Sequence, residues 1–155
     1  MTPPWPDIPP AMLLRSAQIG FATQVFWSSG MAQQQSWIVP VHILPAIALR
    51  QVAFDFDAAG EPRAVMSWAY LSDAVADALA ADPWRQLHLS EWNEGTNLWI
   101  MALVAAPRNG GPLLRRTLRT RLGGYERVRG YQRNPDASIR RLVDLRRRRC
   151  APPRA

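Results

Sequence analysis

The chain holds two histidines, His42 and His88, and one cysteine, Cys150. His42 opens the run HILPAIAL, residues 42–49, in which every other residue is apolar. An imidazole so placed is either packed with its nitrogens hydrogen-bonded, or is a general base with a near-neutral pKa. The residues alone leave both open. Ser29, in Ser28-Ser29-Gly30, is a hydroxyl at the end of a helical pattern, able to donate a hydrogen bond or simply to close the helix. His88 lies in a polar stretch and reads as surface. A third candidate is Asn109-Gly110-Gly111, between an apolar run and a helical pattern beginning at Pro112. A strand, a glycine loop and a helix N-terminus can together hold a phosphate, because unpaired N–H groups point outward there. Arg115 and Arg116 follow directly. No zinc-ligand spacing exists, so no metal site is expected.

These residues are positioned by a regular succession of patterns. Pro10–Trp27 has helical periodicity and stops at Gly30. Trp37–Leu49 is a buried segment, helical after Pro45. Gln51–Phe56 and Arg63–Leu71 alternate about the turn residues 58–62 and predict a hairpin. Ser72 caps a short helix that Asp82-Pro83 ends. Asn97–Ala105 is a near-continuous apolar run, as a central strand should be. A helix from Pro112 to the glycines at 123 and 124 follows, then a strand at Tyr125–Arg133 and a basic tail with a helix from Ala137 to Arg149. The seven tryptophans are expected in the core. The length suits one domain, divided into a proline-rich arm (1–10), a body (11–134) and a tail (135–155).

All 19 basic residues are arginine, and the formal net charge is +7. From Arg108 onward 15 arginines face three acids, while residues 1–107 carry four arginines and nine acids. Such asymmetry predicts an acidic partner for the C-terminal part: a protein, a nucleic acid, or an anionic membrane touched by the tail. The N-terminus lacks the basic and apolar regions of a secretory signal, and Pro40, His42 and Pro45 break the longest apolar run. A cytoplasmic protein is expected.

Four stretches, SSGM at 28–31, HILPAI at 42–47, SWAYLS at 67–72 and EWNEGTNLWIMALVAAP at 91–107, together resemble the RTX toxin-activating lysine acyltransferases. The resemblance runs from about Gln18 to Arg133. It implies a single-domain α/β GNAT-like acyltransferase fold, with a mixed, mostly antiparallel sheet flanked by helices. It implies a cytoplasmic enzyme that moves a fatty acyl group from an acyl carrier protein to an internal lysine of an RTX protoxin, with no bound cofactor. The loop 109–111 with Arg115 and Arg116 would then receive the phosphate of the carrier's prosthetic arm. Residues of the pattern are missing. Ala32 stands at the histidine of the S-x-x-H word, and Ala102 (or Leu103, one place on) stands at the aspartate of the central strand. His42 occupies a position where the family typically has an asparagine facing the active site, which makes His42 a candidate replacement base and Ser29 its neighbour in one cleft. The alternatives are a catalytically dead member that binds carrier or toxin, and a nucleic-acid-binding basic protein; a homodimer is compatible with any of them.

Overall fold

The computed structural model describes residues 7–31 and 36–146. Helix α1 (Pro10–Ser28) begins with a proline, whose missing N–H would have had no acceptor in a first turn, and buries Ala22, Val25 and Phe26. A π-helical turn, Val39–Ile43, runs into the short helix α2 (Leu44–Ala48). Its wide spacing shows in the Leu44 N–H, which donates to the carbonyl of Val39. Pro40 and Pro45 bracket the turn, and neither has an N–H to give to a ladder.

Five strands follow: β1 (Val52–Phe56), β2 (Pro62–Leu71), β3 (Asn97–Ala105), β4 (Arg127–Arg133) and β5 (Ile139–Arg146). They lie side by side in sequence order. Every neighbouring pair is antiparallel except β3 and β4, which are parallel. Helix α3 (Asp73–Ala81) and a 3-10 turn (Leu89–Trp92) connect β2 to β3, and helix α4 (Gly110–Thr120) connects β3 to β4. Ser72 caps α3 as its sequence predicts, its Oγ accepting from the N–H of Val75 at 3.4 Å.

The period of two along β2 sorts its side chains into two cores. Val65, Ala69 and Leu71 join Val25, Phe26, Ile43, Ala46 and Trp99 on the face that carries α1, the π turn and α2. Ala64, Met66 and Trp68 join Leu98, Leu113 and Val128 under α4. Trp68, Trp92 and Trp99 are buried, but Trp27 is 79% and Trp84 56% exposed, which corrects the expectation that all the tryptophans are core. His88 is on the surface, at the start of the 3-10 turn.

Two further expectations change. Gly110 and Gly111 are the first residues of α4 rather than a loop ahead of it. The tail helix is not formed: residues 137 and 138 are in the turn before β5, residues 139–146 are β5, antiparallel to β4, and residues 147–149 lie outside the described residues. Arginine favours helices weakly; here the partner strand decides. Leu142 stands opposite Tyr131 and Leu145 opposite Val128, and Arg127 forms an ion pair with Asp144. The sheet therefore continues past residue 134.

β4 is clamped from its α1 side. Arg129, only 4% exposed, lies 5.2 Å over the Trp99 ring and donates to Asp77 of α3 at 3.1 Å and to Asn97 at 3.2 Å. The Tyr131 hydroxyl donates to the Ala80 carbonyl at 2.6 Å. Against β3, Gly130 has no room for a side chain: a Cβ there would lie 2.9 Å from the Ile100 carbonyl oxygen and 3.2 Å from its Cβ. Gly124, in the loop before β4, has nothing within 4 Å of the same added atom. Gly130→Ala should therefore lower unfolding free energy by about 1–3 kcal/mol through overpacking, with Gly124→Ala near neutral; urea unfolding of the two variants checks this.

Candidate active site

β3 and β4 pair over only three steps, Leu98↔Val128, Trp99↔Arg129 and Ile100↔Gly130. Beyond these β3 continues to Ala105 and β4 to Arg133 without a ladder between them. The parting starts where β3 carries an extra residue: Ser67 faces Ala102 and Trp68 faces Ile100, so Met101 is bulged. A bulge bends its strand and sharpens the twist. The two parallel strands thus part toward their C-terminal ends, with α4 starting beside the end of β3.

At that helix start, Asn109 has φ −92° and ψ −21° and makes no side-chain cap. An added Cβ on Gly110 would sit 3.4 Å from the Cβ of Ala105, and one on Gly111 would sit 3.4 Å from Nη1 of Arg115. Arg115 thus folds back over the first turn. Arg116 goes the other way: Nη1 donates to Asp55 at 2.8 Å and Nη2 to the Phe54 carbonyl at 3.2 Å. Of the five residues expected to form the phosphate cradle, the structure groups Asn109, Gly110, Gly111 and Arg115, and turns Arg116 toward β1, because the Asp55 carboxylate competes for it.

On the opposite face of the sheet, His42 is buried, with 8% exposure. Its ring lies 5.4 Å from the Trp37 ring, edge to face, and its Nδ1 has no hydrogen-bond partner among the described residues. Arg133 stands at the end of β4, 5.1 Å over Trp37 and 4.5 Å over Trp84. Its Nη1 donates to the Ala137 carbonyl at 3.2 Å and its Nη2 to the Pro83 carbonyl at 2.9 Å. Burial first, and the Arg133 charge second, lower the His42 pKa from 6.5 to about 4. His42 is therefore neutral at neutral pH. Ser29 closes α1, its Oγ donating to the Phe26 carbonyl at 2.8 Å; no hydrogen bond joins it to His42. Ala102 is buried on the α1 face opposite Ser67, whose Oγ is also buried without a partner among the described residues. Leu103 points to the α4 side. Ala32 lies outside the described residues.

The grouping of Trp37, Trp84 and Arg133 around His42 was not visible in the sequence. Trp37 is five residues from His42, but Trp84 and Arg133 come from distant segments that no local spacing links to it.

The depressed pKa makes a stability prediction. The unfolded chain protonates His42 as pH falls through 6.5, while the folded chain refuses that proton until about pH 4. Between those values the unfolded state binds more protons, so stability rises with pH. The contribution is complete above pH 6.5 and is lost below, by about 3 kcal/mol in full. His42→Phe should flatten this part of the profile, measured by urea unfolding at pH 7 and at pH 4.5.

Residues 17–145 match the RTX toxin acyltransferase family. Lysine-acyltransferase RtxC of Vibrio cholerae serotype O1 is 30% identical over 108 residues, which are 70% of this chain and 66% of that protein. A solved GNAT-like decarboxylase, GphF in complex with isobutyryl-CoA, superimposes with a TM-score of 0.52 at 20% identity, covering 76% of this chain and 62% of that one. The chain thus spans just under two thirds of the length of either relative. The second likeness shows the fold: the sheet, with one parallel pair and helices on both faces, is the GNAT-like α/β arrangement expected from the sequence. The family match covers the two parted strands, the π turn and β5 alike, and the chain belongs to the RTX toxin acyltransferase family.

Proposed function

We propose that the protein is an acyltransferase that moves a fatty acyl group from an acyl carrier protein to an internal lysine of an RTX protoxin, acting in the cytoplasm. The observation that carries the reading is the parting of β3 and β4 after Ile100 and Gly130. A prosthetic arm is a thin chain of amides ending in a thioester. A slot edged by strand backbone without a ladder partner suits such a chain, and the start of α4 suits its phosphate. No helix among the described residues is long and apolar enough to cross a membrane.

In the transfer, a neutral lysine amine attacks the thioester carbonyl, the carbonyl oxygen becomes an oxyanion, the carrier thiol leaves and the amine loses a proton. On the resemblance, the positions of the family's histidine and aspartate hold Ala32 and Ala102, or Leu103 one place on. Holding both substrates together can by itself lower the barrier by roughly 7–11 kcal/mol. His42 is the remaining imidazole near the slot's α1 side. It is neutral, as a base must be, and its Nδ1 has no hydrogen-bond partner among the described residues. Its lowered pKa makes it a weak base, so a slow enzyme is expected. On this reading Ser29 is a candidate hydrogen-bond donor, and Asn109, Gly110, Gly111 and Arg115 hold the phosphate.

A second reading is favoured by one observation: Ala102 is sealed in the core against Ser67, where no proton acceptor stands. On that reading the chain binds carrier or toxin without transfer. Incubation with labelled acyl carrier protein and protoxin, followed by mass spectrometry of the toxin lysines, separates the two. If His42 is the base, His42→Ala lowers transfer by about 10²-fold or more, and Ala32→His with Ala102→Asp adds little. A gain in the double variant with no loss in His42→Ala means a degraded enzyme. No acyl-lysine from any variant, with binding retained, leaves the binder.

A further inference from the structure

Helix α4 carries three arginines and Arg121 follows at its C-cap, and the fold divides the four by task. Arg116 and Arg121 belong to the sheet. Arg116 is held by Asp55 and the Phe54 carbonyl, while Arg121 donates to the Val52 carbonyl at 2.9 Å and lies 5.2 Å over the Trp68 ring. Both guanidinium groups thus cap carbonyls of β1, an outer strand whose open edge would otherwise invite pairing. Arg115 and Arg119 have no side-chain hydrogen bond or ion pair among the described residues. They are exposed, and with Leu118, Gly123 and Tyr125 they line a hollow of about 330 Å³.

Arg115 and Arg119 are four residues apart, so they stand one above the other on one helix face, roughly 6 Å apart along the axis. Leu118 lies between them and Tyr125 forms the wall. Arg108, exposed and at φ 71°, stands before the helix. The hollow is thus a cationic stripe with an apolar floor. Its complement is a helix with carboxylates one turn apart and an apolar side chain between them. A double-stranded nucleic acid or a flat headgroup layer offers the charge, but no apolar residue to fill the floor.

We propose that this hollow is the docking surface for an acidic helix of the acyl carrier protein, with Arg115 and Arg119 as its cations. The identity of the partner rests on the function proposed above; the division of the arginines does not. Arg115 also reaches back over Gly111, so the same side chain borders both the hollow and the start of α4. A carrier seated in the hollow would have its prosthetic group at the slot.

The test uses the full chain with purified acyl carrier protein, anionic phosphatidylglycerol vesicles and duplex DNA as three probes. Arg115→Glu with Arg119→Glu should raise the dissociation constant for the carrier by about tenfold or more and abolish its salt dependence, with unchanged thermal midpoint. Arg116→Ala and Arg121→Ala should lower the midpoint instead and leave carrier affinity near wild type. Arg115→Gln with Arg119→Gln provides a milder step in the same direction. Unchanged carrier affinity in the double reversal overturns the proposal, as does a loss confined to vesicles or DNA. Carrier binding that depends on Arg115 and Arg119 without any acyl transfer would uphold the docking surface and remove the enzymatic reading. Transfer that persists with an unchanged carrier KM in the double reversal would do the opposite.

Discussion

The molecule depends on the brevity of one parallel strand pair. β3 and β4 meet for three residues and then separate. Close approach at the meeting is set by Gly130, since any Cβ would press on Ile100. Separation begins at the Met101 bulge, which turns β3 away while β2 keeps its ladder with it. β4 is meanwhile held from the other side. Arg129 and Tyr131 bind α3, Arg127 binds Asp144, and β5 completes its outer edge. With both strands anchored to different neighbours, the gap between them costs few internal contacts.

The two faces of the sheet then take different roles. On one, α4 brings its start to the parted strands, and Arg116 with the C-cap Arg121 closes the β1 edge. Exposed arginine pairs contribute little individually, but a guanidinium that satisfies strand carbonyls also removes a site for unwanted association. On the other face the π turn holds His42 in a dry setting. An unpartnered buried nitrogen costs about 1–3 kcal/mol, and wide helical turns of this kind are frequent at functional sites. Arg133, stacked between Trp37 and Trp84 and bonded to two carbonyls, fixes the wall and adds the charge that keeps the imidazole neutral.

The sequence by itself determined the elements whose cause is local. Alternation at 52–56 and 62–71 fixed the hairpin, the Ser72 cap started α3, the apolar run made β3 central, and the words SSGM, HILPAI and SWAYLS carried the family. Residue type also determined which chemistry is possible: two imidazoles, no lysine, and a strongly basic C-terminal part. Tertiary structure decided what depends on distant partners. Residues 139–146 are a strand only because β4 offers them a ladder. Trp27 and Trp84 are exposed because no helix or strand among the described residues buries them. Arg116 turns toward β1 because Asp55, sixty-one residues earlier, stands beside it. His42 is buried and neutral because the fold packs Trp37, five residues earlier, on its ring and brings Arg133 from the end of β4 beside it. Propensity and pattern act over a few residues, whereas burial, pairing and electrostatic environment are set by what the fold brings alongside.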